Sequence, residues 1–163
     1  MFQPTKQSAS VIAKYFLWKT IQDKKSITNK KLQKLLYYSQ AWNLAFNNTP
    51  LFKEKIEAWI HGPAIRSVYR QYKKFGFGPI RESVSENDFT TLTADNKDLL
   101  DEIWRVYGKF DASYLEELTH GEEPWQKARE NLDGEASSTN IISLENMQIY
   151  YRKLGQKKDN GKE

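Results

Sequence analysis

TNKKLQKLLYYSQAWNLAF, residues 28 to 46, is the stretch on which the fold turns. Thr28 is a good N-cap, and Leu32, Leu35, Leu36, Ser39, Trp42 and Phe46 recur at about 100° per residue, so the spacing predicts one long helix. Tyr37 and Leu44 lie off that stripe and give the helix a second packed side. Lys31 sits at about 20° from Trp42 on the wheel. It is therefore expected half-buried and paired with a carboxylate. The NNTP that follows breaks the helix.

Upstream, SASVIAKYFLWKTIQD (8–23) predicts a helix capped by Ser8 or Ser10 whose apolar residues cover nearly its whole circumference, which suits a central position. Downstream, LFKEKIEAWI reads as two short extended pieces, with Ile56, Ala58 and Ile60 alternating against Glu57 and Trp59. Gly62 and Pro63 read as a strand-to-helix junction that opens a helix over PAIRSVYRQYKKF, closed by Gly76. A short strand is expected near Pro79 to Arg81. Further helices are expected at about 94–109, 112–119, 123–131, with Pro124 in its first turn, and 143–154, capped by Ser143. The fold class is mainly α: one compact multi-helix domain over residues 1–154 with a short β-hairpin or extended pieces near 50–60. GQKKDNGKE (155–163) has no apolar residue and reads as a disordered tail.

At 163 residues the chain suits a single domain. The absence of cysteine removes disulfides, thiolate nucleophiles and sulfur-ligated zinc, and fits a reducing compartment. No apolar run resembles a signal peptide or a membrane span, so a cytoplasmic protein with no membrane partner is expected. Charge is unevenly placed. Residues 1–81 hold 15 Lys/Arg against 3 Asp/Glu, and residues 82–163 hold 10 against 18. A single domain must bring these halves together, so much of the imbalance is expected to be neutralised internally.

Chemistry-bearing motifs are scarce. His61 and His120 are the two histidines, 59 residues apart, with no local ligand spacing, so no metal and no cofactor is expected. Thr119-His120 with Glu122 and Glu123 has nucleophile-and-base residue types, but neighbours in sequence rarely face one another, and no GxSxG elbow or phosphate loop is present. The paired carboxylates are consecutive and read as solvated helix faces. No enzyme is indicated. Lys30, Lys31, Lys34, Arg66 and Arg70 interleaved with Tyr37, Tyr38 and Tyr69 could contact an anionic partner, nucleic acid included, or could be core tyrosines with a lysine rim.

KLQKLLYY (31–38), Ala58-Trp59 with Gly62-Pro63, Val68-Tyr69, and Thr119-His120-Gly121-Glu122-Glu123-Pro124-Trp125 with Ala128 together resemble the Panacea domain, the SocA-like antitoxin or phage-associated domain. The resemblance covers about residues 8 to 131. It implies a compact helical fold and an antitoxin of a bacterial or phage toxin–antitoxin pair that binds a cognate toxin protein encoded by the adjacent gene. One branch of the family resembles a proteolytic adaptor for an AAA+ protease, and nucleic-acid binding is the other alternative. The toxin contacts are expected among Lys30, Lys31, Lys34, Tyr37, Tyr38, Arg66, Tyr69 and Arg70. Trp42, Trp59, Gly62, Pro63, Thr119, His120, Pro124 and Trp125 are expected to build the scaffold. His61 stands where the family commonly has another residue and is not carried over.

Overall fold

The computed structural model describes residues 2–160. Their elements are α1 (Ala9–Gln22), α2 (Asn29–Asn47), β1 (Glu57–Trp59), β2 (Gly62–Ala64), α3 (Arg66–Tyr72), α4 (Ala94–Tyr107), α5 (Ala112–His120), α6 (Glu123–Ala128) and α7 (Leu144–Asn160), with single 3₁₀ turns at Lys73–Phe75 and Glu86–Phe89. β1 and β2 form a two-stranded antiparallel hairpin. The mainly helical fold with one small hairpin is the one expected.

The helix caps follow the sequence. Ser8 Oγ accepts from Val11 N at 3.3 Å, Thr28 Oγ1 from Lys31 N at 3.2 Å and Ser143 Oγ from Asn146 N at 3.2 Å. α2 stops at Asn48, whose left-handed φ of 59° suits asparagine and lets its N–H return to Leu44 O.

α2, rather than α1, is the axis of the domain. Fourteen of its 19 residues are buried, and α1, α3, α4, α5, α7 and β2 all pack on it, α7 most extensively. That burial takes in polar residues, which a helix surrounded on all sides must satisfy internally. Gln33 accepts from Ile65 N at 2.8 Å, and Gln40 bridges Leu51 N and Phe52 O, so two glutamines of α2 tie down the irregular segments on either side of the hairpin. Ion pairs Lys14–Glu82, Lys19–Asp101 and Lys30–Glu116, at 2.7, 3.3 and 2.5 Å, join the basic half to the acidic half, as a single domain requires.

Several boundaries differ from expectation. Pro63 does not open a helix: Gly62–Ala64 is strand, and α3 begins at Arg66. Gly62 has φ +105°, which turns the chain back on β1 in the register Trp59↔Gly62 before any helix can start. Proline is tolerated in this strand because its backbone faces away from β1, its carbonyl accepting from Lys34. Near Pro79 there is a single bridge to Thr28. Phe46 is 65% exposed, stacked on the rim of Trp42 instead of entering the core. α7 continues through Asn160, so the start of the segment expected as a tail is helical. Gly155 allows this close to α2, since a Cβ there would already touch the Trp42 ring at 3.4 Å. Residues 161–163 of that expectation lie outside the described residues.

Candidate functional site

The sequence motifs converge on one junction. Lys34 projects from the middle of α2 into a closed space and is only 2% exposed; its Nζ donates to Pro63 O at 3.1 Å. A Cβ on Gly62 would lie 2.5 Å from Lys34 Cε and 3.1 Å from Thr119 Oγ1. The lysine of KLQKLLYY, the glycine of the AW-x-x-GP turn and the threonine of the TH element thus fill one another's space. Thr119 donates its hydroxyl to Glu116 O at 2.8 Å and not to His120.

Beyond Thr119 the same element grips both α2 and β1. Glu122, almost fully buried, accepts from Tyr38 at 2.7 Å and from Tyr151 of α7 at 3.0 Å. Tyr107 stacks on Tyr38 at 4.0 Å and accepts from Trp42 Nε1 at 2.8 Å. Trp125 Nε1 donates to Trp59 O, and Arg129 Nη1 donates to Ala58 O, each at 2.8 Å, so the hairpin's carbonyls are held from below. Burial and the neighbouring Glu122 charge push the hydroxyl pKa values of Tyr37 and Tyr38 upward; for Tyr151 burial leads, then Tyr37, then Glu122.

The two histidines flank one carboxylate. Glu116 lies between Lys30 Nζ and His61 Nδ1, at 2.5 and 3.4 Å. Although partial burial would raise the Glu116 pKa, the hydrogen bond and charge of Lys30 and the adjacent histidines hold it below its ordinary value. His120 stacks on Trp125 at 4.1 Å and hydrogen-bonds the Ile60 backbone; burial lowers its pKa and the Glu116 charge opposes that. His61 is mostly exposed. Among the described residues no group of three or more His, Asp or Glu side chains is placed to hold a metal ion.

The expected contact residues therefore divide. Lys34, Tyr37 and Tyr38 are enclosed and cannot reach a partner on the folded surface: core tyrosines and an internal lysine are the correct reading there. Lys31 is half-buried as expected, but its Nζ donates to the Gly108 carbonyl at 2.5 Å and lies over the Trp104 ring instead of pairing with a carboxylate. Lys30 and Tyr69 are partly exposed and Arg70 exposed. Arg66 forms a two-pronged ion pair with Glu57, at 3.0 and 2.6 Å. Among the scaffold residues Trp42, Gly62, Pro63, Thr119, Pro124 and Trp125 are buried, whereas Trp59 is half-exposed, edge-on to Tyr69 at 4.9 Å.

Lys34 makes the main contribution to the pH dependence of stability, and Lys31, also lowered by burial, acts in the same direction. Burial, reinforced by the nearby Lys30 charge and opposed by Glu116, lowers its pKa to about 7, while an unfolded lysine titrates near 10.4. Between these values the unfolded chain binds more protons, so stability rises with pH, by up to about 1.4 kcal/mol per unit. Above about pH 10 unfolded tyrosines ionise while Tyr37, Tyr38 and Tyr151 stay protonated, so stability falls again. Urea midpoints measured across this range should peak between about pH 9 and 10. Lys34→Met should flatten the rising limb, and a rise that survives the substitution would assign it to another group.

These motifs define a helical scaffold whose motif residues are largely engaged with its own interior. The sequence model of the antitoxin SocA-like, Panacea domain family matches residues 32–126, over half of the chain, and spans the junction from α2 to Trp125. The chain belongs to this family. No curated protein and no solved structure matches it.

Proposed function

We propose that the protein is an antitoxin that neutralises a cognate toxin protein by binding it directly, without catalysis. Membership of the SocA-like antitoxin family carries this reading. The geometry supports it, because polar residues of the motifs are engaged inside the fold and not gathered in an open catalytic cleft. Recognition then falls to exposed side chains such as Arg70, Lys73 and Phe77; Phe77 is fully exposed, on the turn after the Lys73–Phe75 3₁₀ segment.

The test is co-expression with the product of the adjacent gene, after showing that this product alone arrests growth. Restored growth with a co-purifying complex is the expected result. Growth restored without a complex, with falling levels of the arrested product, would replace sequestration by delivery to an AAA+ protease, and no rescue would refute the antitoxin reading. Phe77→Ala should leave the melting temperature unchanged, because its ring buries nothing in the free protein. In the complex it should weaken binding by about tenfold or more, the size of effect typical of an exposed aromatic anchor that becomes buried. Pull-down titration and thermal melting of the same variant check both halves.

A further inference from the structure

Between α3 and residues 137–139 lies an open groove of about 340 Å³, floored by Trp59 and Tyr69 and walled by Arg66, Arg70, Lys73 and the serine-rich segment. Its charge is positive by arithmetic of contacts. Glu57, the carboxylate bonded to its lining, is consumed by Arg66 and by Trp59 Nε1, at 3.1 Å from the latter. Arg70 and Lys73 are exposed and form no direct ion pair among the described residues, although the Arg70 charge also helps to hold Glu57 ionised. Both follow Tyr69 along the same turn of chain, so two exposed cations stand over an aromatic floor.

We propose that this groove docks an acidic segment of a protein partner, with an apolar side chain against Trp59 and Tyr69 and carboxylates on Arg70 and Lys73. The partner's identity as a toxin rests on the antitoxin reading; the chemistry of the groove does not. A charge-complementary pair of cations around an aromatic anchor site is suited to orienting such a segment and speeding its encounter. A nucleic acid fits less well. Its affinity comes from neutralising many phosphates, whereas this groove offers two exposed cations beside an Arg66–Glu57 ion pair. The edge-on packing of Trp59 and Tyr69, at 76°, also denies them a shared stacking platform for successive bases.

The probe is a short fluorescein-labelled peptide alternating Glu with Leu and Phe, titrated with the full chain by anisotropy. Arg70→Glu with Lys73→Glu should weaken binding by about tenfold or more, and the milder Arg70→Gln with Lys73→Gln by about threefold, the latter with melting curves near wild type because neither cation forms a direct internal ion pair. Lys6→Glu with Lys53→Glu, reversing two exposed charges outside the groove, should bind like wild type. No binding of the acidic peptide, equal binding by the groove variants, or preferential binding of oligothymidylate lost in those variants would each overturn the proposal. Growth rescue separates the two ideas. Full rescue by the Arg70→Glu, Lys73→Glu variant, with its peptide binding lost, leaves the antitoxin reading standing and removes the groove as the toxin contact, whereas peptide binding equal to wild type removes the groove itself. Loss of peptide binding in that variant, with no rescue even by wild type, keeps the groove and removes the antitoxin reading.

Discussion

Gly62→Ala should lower stability by about 3 kcal/mol, or about 10 °C in melting temperature for a chain of this size. Two costs add. A φ of +105° is a backbone region that alanine rarely adopts, which costs on the order of 1–3 kcal/mol. The new methyl would also sit 2.5 Å from Lys34 Cε, well inside contact distance, and overpacking of a closed space costs a similar amount. A lysine tip on the surface would swing away. Here Lys34 is enclosed and anchored to Pro63 O, so moving it abandons the ammonium's hydrogen bond.

Lys34→Ala, which deletes the colliding Cε, separates these costs in a double-mutant cycle. If the collision matters, Gly62→Ala should be less harmful in the Lys34→Ala background by about 1 kcal/mol or more, measured by urea unfolding. Strict additivity would place the whole effect in the backbone. Either result bears on why the lysine and the glycine, 28 positions apart, belong to one motif.

Much of this was legible in the sequence, for identifiable reasons. The 3.6-residue pattern through Leu32, Leu35, Leu36 and Ser39 located α2, and the caps at Thr28 and Ser143 fixed two helix starts to within a residue, while the first was left between Ser8 and Ser10 and is Ser8. What periodicity could not carry was which polar residues would be inside. Lys34, Gln33 and Gln40 look like a solvated face until five other helices and segments close over α2, and only then do Pro63 O, Ile65 N and Phe52 O become their partners. The Gly62-Pro63 pair was read as a helix start because proline favours that position; the deciding fact, a left-handed Gly62 packed on a buried lysine, is a tertiary contact. The groove residues Arg70 and Lys73 were visible as charges, but their freedom depends on Arg66, not Arg70, capturing Glu57.

The same distinction separates residues that hold the fold together from those left on its surface. The motif residues Lys34, Tyr38, Gly62, Thr119 and Trp125 are engaged inside the fold, with Pro63 O, Glu122, Glu116 O and Trp59 O among their partners. Altering one of them should act on folding, whereas altering Arg70, Lys73 or Phe77 should act on binding alone.

Glu122→Ala tests that division at its deepest point and should cost on the order of 3–5 kcal/mol. Glu122 is almost fully buried and gathers the Tyr38 hydroxyl at 2.7 Å and the Tyr151 hydroxyl at 3.0 Å, linking α2, α7 and the start of α6. Its removal leaves two enclosed hydroxyls without that acceptor, each costing about 1–3 kcal/mol, and empties the space its methylenes fill. Glu122→Gln keeps the shape and one carbonyl oxygen, so it should cost less, about 1–2 kcal/mol, through the charge-assisted part of the bonds. Tyr38→Phe should fall in the same range, and in the Glu122→Ala background it should cost almost nothing, because the hydroxyl it deletes has already lost its acceptor. Urea unfolding of the four proteins measures this. Equal costs of Tyr38→Phe in both backgrounds would mean that the carboxylate and the hydroxyl act independently, and that Tyr38 is held by its stacking on Tyr107 alone.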